Sequence, residues 1–332
     1  MKKVISGAIA AVFVFVALPG VFAGGQGEEE SNVIGITKIV SHPALDAVEQ
    51  GIQDELADLG YEFEYDLQNA NNDITAANQI ATKFRDDGVR AAIGIATPTS
   101  QALVNTITEI PVIYSAVTDP VEAGLVENYE EGSLNVTGVS DLTPVQEQIE
   151  LIVELLEVES IGHVYASGEA NAVTLAEMAA ETVDGMGLNF VESTVTNSAE
   201  VRTAAQSIVG QVDAFYVSTD NTVVSALSAL TDVAMQAGVP VITADPSSAE
   251  DYDVLAALGF DYYQMGRVTG SLVADIIEGA DPAGIGTVYM TEPEDQALLI
   301  NRDVADALGI RFPDAVVELA SSIVENGEVI SQ

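Results

Sequence analysis

The chain has 332 residues, 48% of them apolar, and sets 52 acidic side chains against 10 basic ones for a formal charge of −42. That length supports two domains with real cores, and the apolar content excludes a disordered acidic polymer. The charge makes nucleic acid and anionic membrane surfaces poor partners, and the lack of any cysteine removes disulfides, thiolate metal sites and cysteine nucleophiles together.

Residues 1–23 read as a signal peptide. Lys2 and Lys3 precede an apolar stretch from Val4 to Leu18, and Val21-Phe22-Ala23 forms a small-x-small cleavage site. An uncleaved anchor is the alternative, but Pro19-Gly20 interrupts the run. With no cysteine to carry a lipid, cleavage would leave the protein free in a periplasm, with no membrane anchor. An acidic linker occupies 24–32. The other acids are dispersed along polar faces and read as a solvated surface; no D-x-D-x-D-G spacing supports a calcium array.

Strand and helix signals then alternate. "VIGITKIV" is a strand, and Pro43 opens a helix faced by Leu45, Val48, Ile52, Leu56 and Leu59. "YEFEYDL" alternates as an outer strand does. A helix over 74–84, the buried strand "RAAIGIA", a helix from "TPTSQALVNTI" and the strand "PVIYSA" follow. "LNVTGVSD" leads to Pro144 and an amphipathic helix through Leu156. A second series has strands "IGHVYAS", "LNFVESTV", "AFYVST", "PVITAD" and "VLAALGF", with helices between the first four and a short loop before the last. Such alternation predicts an α/β protein of two doubly wound parallel-sheet lobes with a ligand cleft between them. The expected limits are 33–141 plus 259–283 for lobe 1 and 142–258 plus 284–332 for lobe 2.

In open parallel sheets the ligand lies beyond the carboxyl ends of the strands. Those ends are small or polar throughout: "SHPALD", "ATPTS", "SAVTDP", "ASGEAN", "STDN", "ADPSS" and "GFDYY". In "ATPTS", Thr97 is expected to cap a helix with Pro98 at its first position. The N–H groups of Thr99 and Ser100 would then point outward as a carboxylate site. "SHPALD" repeats the design, with Pro43 behind Ser41 and His42. Asp119, Asp220 and Asp245 stand on three edges and Glu169 on a fourth; they are candidates to neutralise an ammonium, with capping as their ordinary role. Phe260, Tyr262 and Tyr263 are candidates to face an apolar or aromatic side chain, with core packing as the alternative.

Catalytic signatures are missing. Neither G-x-S-x-G nor G-x-x-x-x-G-K-[ST] occurs. "GMG" at 185–187 falls at a helix end, the wrong polarity for a dinucleotide fingerprint. His42 sits at a helix start and His163 in mid-strand, so two histidines build no metal site. The reading is a protein that is not an enzyme and uses no cofactor or metal.

Several segments carry a family resemblance: "HPALDAVEQGIQDELADLGY", "IATPTSQA", "PVIYSAVTDPVEAGLV", "NVTGVSD", "VTNSAEV", "VDAFYVSTDNTV" and "ALGFDYYQMGRVTG". Over about Gly35 to Ile310 the chain resembles the ABC-transporter substrate-binding proteins that include tryptophan- and tyrosine-binding members. The resemblance implies a type I periplasmic-binding-protein fold with three crossings between lobes, the helix after Tyr263 returning to the first. It places a pocket on His42, Ala44, Thr97, Pro98, Thr99, Ser100, Ser115, Ala116, Val117 and Asp119. The second lobe would add Ser167, Glu169, Asn171, Thr219, Asp220, Asn221 and Asp245; Phe260 joins them from the last edge. Many members are lipoproteins, and the missing cysteine departs from that pattern.

The expectation is therefore a monomeric periplasmic receptor that delivers a small ligand, an aromatic or bulky apolar amino acid, to an ABC permease and its ATPase. The alternatives are a two-lobed secreted enzyme acting on a small metabolite, or a binding protein that signals to a sensor.

Overall fold

The computed structural model describes residues 31–290 and 295–332. The expected signal peptide, and all of the acidic linker except Ser31 and Asn32, lie outside these residues.

The first series is β1 (Val33–Lys38), α1 (Pro43–Asp58), β2 (Glu64–Asn69), α2 (Ile74–Asp87), β3 (Ala91–Ile95), α3 (Thr97–Thr106), β4 (Val112–Val117) and β5 (Val136–Ser140). Its strands pair in parallel in the order β2-β1-β3-β4-β5. Strands β3, β4 and β5 are buried on both faces, which is why they read as continuous apolar or small runs. The alternating β2 lies at the edge, as its sequence predicts.

The second series is α4 (Val145–Leu155), β6 (Ser160–Ala166), α5 (Ala170–Gly185), β7 (Asn189–Val195), α6 (Val201–Ile208), β8 (Ala214–Val217), α7 (Asn221–Val224), α8 (Leu227–Ala237), β9 (Val241–Thr243), α9 (Pro246–Ala249) and β10 (Ala256–Phe260). It repeats the same parallel order, β7-β6-β8-β9-β10. A short helix, α9, stands where the sequence suggested only a loop. Side chains alternate across this sheet: Val164, Phe215 and Val217 enter one core, Ile161, Ala214 and Tyr216 the other.

The remainder of the chain serves both sheets. Helix α10 (Tyr262–Ile277) lies along α1, and β11 (Val288–Tyr289) pairs with β5. Beyond β10 the second sheet continues with β12 (Gln296–Asn301), α11 (Arg302–Leu308), α12 (Asp314–Leu319), β13 (Ser322–Glu325) and β14 (Glu328–Ser331). Strand β12 runs antiparallel to β10 and β14 antiparallel to β13, so this side of the sheet is mixed rather than parallel. Sheet pairing also shifts the lobe limits: Gly259 and Phe260 belong to the second sheet, and 288–289 to the first. The chain thus changes sheets after β5, after β10, and between Met290 and Gln296.

Helix α10 can lie so close because glycine faces the contact on both sides. A Cβ on Gly266 would strike the carbonyl of Val48, and one on Gly51 the carbonyl of Tyr263. No described helix is long and apolar enough to cross a membrane.

Candidate functional site

In a 2-1-3-4-5 sheet the connections reverse direction on either side of the first strand, and the crevice opens at that point. Here the two reversals lie between β1 and β3, and between β6 and β8. The segments that leave these strands meet in a cavity of about 320 Å³ of space not filled by atoms, counting its mouth. His42, Ala44, Leu45, Ala116, Thr118 and Asp141 line it from the first lobe, and Asn171, Thr219, Asp220, Asn221, Val224 and Asp245 from the second. Tyr262, just past the second change of sheet, completes it.

Each wall is set by local backbone chemistry. His42 is the N-cap of α1, with extended backbone (φ −153°) and Pro43 behind it. Its ring makes no capping bond, and both ring nitrogens are buried without a partner. Burial pushes this imidazole toward its neutral form, against the pull of Asp245 and Asp46. Between Tyr114 and Val117 the β4–β5 register slips, and Ala116 takes φ +54°. That bulge turns Ala116 to the cavity, while the Ser115 hydroxyl faces α10 and pairs with the Thr269 hydroxyl at 2.7 Å.

In the second lobe, carboxylates cap short helices and so stand at the strand ends. Asp220 Oδ1 accepts from the Val223 N–H at 2.9 Å, and Oδ2 from the Ala166 N–H at 2.6 Å. Burial, and then the neighbouring Glu169, hold the Asp220 carboxyl above the usual range. Glu169 itself lies behind the wall and is saturated by Asn221 Nδ2 (2.6 Å), the Thr222 N–H (3.0 Å) and the Thr222 hydroxyl (2.6 Å). Asp245 spends Oδ1 on the Ser248 N–H at 3.1 Å, whereas Oδ2 is buried with no partner. Asn171 donates Nδ2 to the Thr219 carbonyl at 3.1 Å, which leaves its Oδ1 and the Thr219 hydroxyl also without partners. Buried polar groups are nearly always hydrogen-bonded, so a cavity ringed by such atoms is shaped for a polar ligand.

The expected carboxylate site on α3 needs correction. Ala96, at φ +75°, is the N-cap, Thr97 is already helical, and the Ser100 N–H donates back to the Ala96 carbonyl at 3.2 Å. The hydroxyls of Thr99 and Ser100 turn inward to the carbonyls of Ile95, Gly94 and Ala96. Thr97, Pro98, Thr99 and Ser100 are buried but do not line the cavity. Nor do several others. Val117 is core; Asp119 accepts from the N–H groups of Val121 and Glu122 and from the Tyr129 hydroxyl; Ser167 is exposed. Phe260 lies in a separate groove with Pro246 and Glu250, and Tyr263 reaches Asp54 at 3.0 Å.

Leu45, Thr118, Asp141 and Val224 were not foreseen. Asp141 had the signal, since it ends "LNVTGVSD" as the other acids end their strands. It accepts from the Tyr262 hydroxyl at 3.1 Å and the Thr118 hydroxyl at 3.3 Å. Its burial drives the carboxyl up to about 6 despite those two bonds.

The sequence profile of the family described as ABC transporter substrate binding protein matches residues 33–324. The chain belongs to this family. A tyrosine-binding protein of Clostridioides difficile is 34% identical over 283 residues, 84% of this chain and 81% of that protein. A structure of an ABC domain in complex with L-Trp, from Streptococcus pneumoniae, is 31% identical and superimposes with a TM-score of 0.85 over 89% of this chain and 100% of that one. The ligand-free, open structure of a substrate binding protein with adhesive properties from Clostridium difficile is 34% identical. It covers 88% of this chain and 99% of its own, but its TM-score is only 0.67. At nearly equal identity and coverage, this binding protein superimposes more closely on the tryptophan complex than on the open structure.

Proposed function

We propose that this binding protein is the exported, monomeric receptor of an ABC importer and carries an amino acid with an aromatic or bulky apolar side chain. The observation that carries this reading is the unpartnered Asp245 Oδ2, buried in a cavity whose described lining includes two further carboxylates and no lysine or arginine. Such a cavity asks its ligand for a positive charge. With Asp119 occupied in its own turn, Asp245 is the residue for the ammonium, helped by Asn171 Oδ1. Donors for a carboxylate are fewer: the Thr219 hydroxyl, and whichever nitrogen of neutral His42 carries its proton. Leu45, Val224, Ala44 and the Tyr262 ring supply the apolar wall for a side chain.

The relatives that bind tyrosine and L-Trp support the same class of ligand. Closure about the three changes of sheet would bury the ligand and present a surface to a permease.

Calorimetric titration and thermal shift with the twenty amino acids test this reading. Tyrosine, tryptophan or phenylalanine at a hundred times its dissociation constant should add about 2.7 kcal/mol of stability. A response confined to sugars or nucleosides would discard the pocket chemistry, and turnover of a bound ligand would discard the receptor.

A further inference from the structure

The cavity draws its carboxylates from both lobes. Asp141 directly follows β5 in the first lobe, while Asp220 and Asp245 head short helices of the second. Asp220 accepts from two backbone N–H groups, although burial and then Glu169 still hold its carboxyl up at about 8, while Asp141 accepts from the neutral hydroxyls of Tyr262 and Thr118. The groups around Asp141 are Thr118 beyond β4, Tyr262 at the start of α10, and Asp245 ahead of α9. Further round are His42 ahead of α1 and Asp220 ahead of α7, with Glu169 behind the wall. Burial keeps His42 neutral, so none of them brings a positive charge.

Closing the cleft therefore desolvates like charges from opposite lobes in one small space, which is costly unless a cation joins them. The Tyr262–Asp141 bond also spans two of the places where the chain changes sheets, so it ties the charge to the hinge.

We propose that Asp141 is a specificity-determining residue that makes closure depend on one positive charge, supplied either by the ligand's ammonium or by a proton. The proposal deepens the amino-acid reading and rests on it only for the identity of the ligand. Its sign follows from burial in this cavity raising the carboxyl to about 6, against roughly 3.9 for a solvated aspartate. The closed form holds the proton more tightly, so acid favours closure of the empty cleft and neutral pH opposes it. An ammonium replaces that proton; a neutral N-acetyl group does not.

Small-angle scattering on the ligand-free protein at pH 8 and pH 5 tests the closure. The radius of gyration should fall toward the liganded value at pH 5. In Asp141→Asn it should be low at both pH values. In Tyr262→Phe, which removes a donor to the carboxylate, the midpoint should move to higher pH. A wild-type radius that does not change, or a full pH response retained in Asp141→Asn, would overturn the proposal; the second result would put the proton on Asp220. Binding supplies the other arm. The preference for tyrosine over N-acetyltyrosine should fall roughly tenfold in Asp141→Asn, one pKa unit's worth of charge discrimination, and an unchanged preference would also overturn it. A protein that binds no amino acid defeats the proposed ligand class, yet leaves the scattering arm to decide the role of Asp141.

Discussion

Asn72, in the loop ahead of α2, donates from Nδ2 to the hydroxyl of Thr222 in α7 at 3.1 Å, a side-chain bond from the first lobe to the second. The Thr222 hydroxyl in turn donates to Glu169, so the chain of bonds ends on a saturated buried carboxylate. Asn72 thus acts on closure without touching the cavity. Replacing it with alanine should remove about 1 kcal/mol from the closed form and weaken ligand binding roughly fivefold. Calorimetry against tyrosine would show it, and unchanged affinity would mean that the bond is not formed in the liganded state.

Asp245 should matter far more. Truncating one partner of a buried charge pair costs about 2–5 kcal/mol. Asp245→Asn should therefore lose at least roughly thirtyfold in affinity for an amino acid. Its Oδ1 also caps α9, so a melting curve must accompany the titration to separate lost folding from lost binding. A stable variant that binds as well as wild type would remove Asp245 from the ammonium site.

The α1–α10 contact gives a test of the fold. A methyl on Gly266 meets the backbone of Val48 and Gly51, which cannot move aside as a side chain tip does. Gly266→Ala should destabilise by about 1–3 kcal/mol, the usual cost of overpacking. Denaturant unfolding would measure it. A change below roughly 0.5 kcal/mol would show that the helices separate freely.

His163 predicts a pH effect on stability. It is fully buried, stacked against Tyr165 and Tyr216, with Nδ1 at 2.9 Å from the Tyr216 carbonyl, and burial lowers it to about 4. The unfolded chain binds this proton near pH 6.5, so the group's contribution is complete above that value and is lost as pH falls toward 4. Asp141 and Asp220, both raised, act in the opposite direction. The test is therefore the difference between His163→Phe and wild type at pH 8 and pH 5: the variant should lose less stability on acidification.

The charge of −42 predicts that salt stabilises. Added sodium chloride screens self-repulsion, so the melting temperature should rise between low and high salt. A flat or falling curve would mean that the acids are already compensated.

Much of the architecture was legible because a parallel sheet imposes its own punctuation. The runs at β3 and β4 are buried on both faces, and each ends abruptly in small polar residues. Edge strand β2 showed its position by alternating. The antiparallel additions β12 and β14 carried no such mark, since their pairing depends on partners distant in sequence. At the site, His42, Asn171, Thr219 and Asp245 could be found from their place after a strand. Position after a strand did not say which way a side chain turns. The bulge at Ala116 sends Ser115 into the core, and the Ala96 backbone folds the α3 hydroxyls back on their own strand. Asp119, likewise, is consumed by its own turn.

The three changes of sheet also govern how the molecule can be made. Synthesis delivers β1 to β5 first, yet the face of α1 that carries Gly51 stays bare until α10 arrives some two hundred residues later. An N-terminal fragment ending at Asp141 would hold a sheet with part of its cover missing, and the second series must be threaded before that cover can land. The first lobe therefore gains its full cover only after β6 to β10 have been made, and the second sheet is completed later still by β12 to β14, so neither lobe can finish packing before the other has begun.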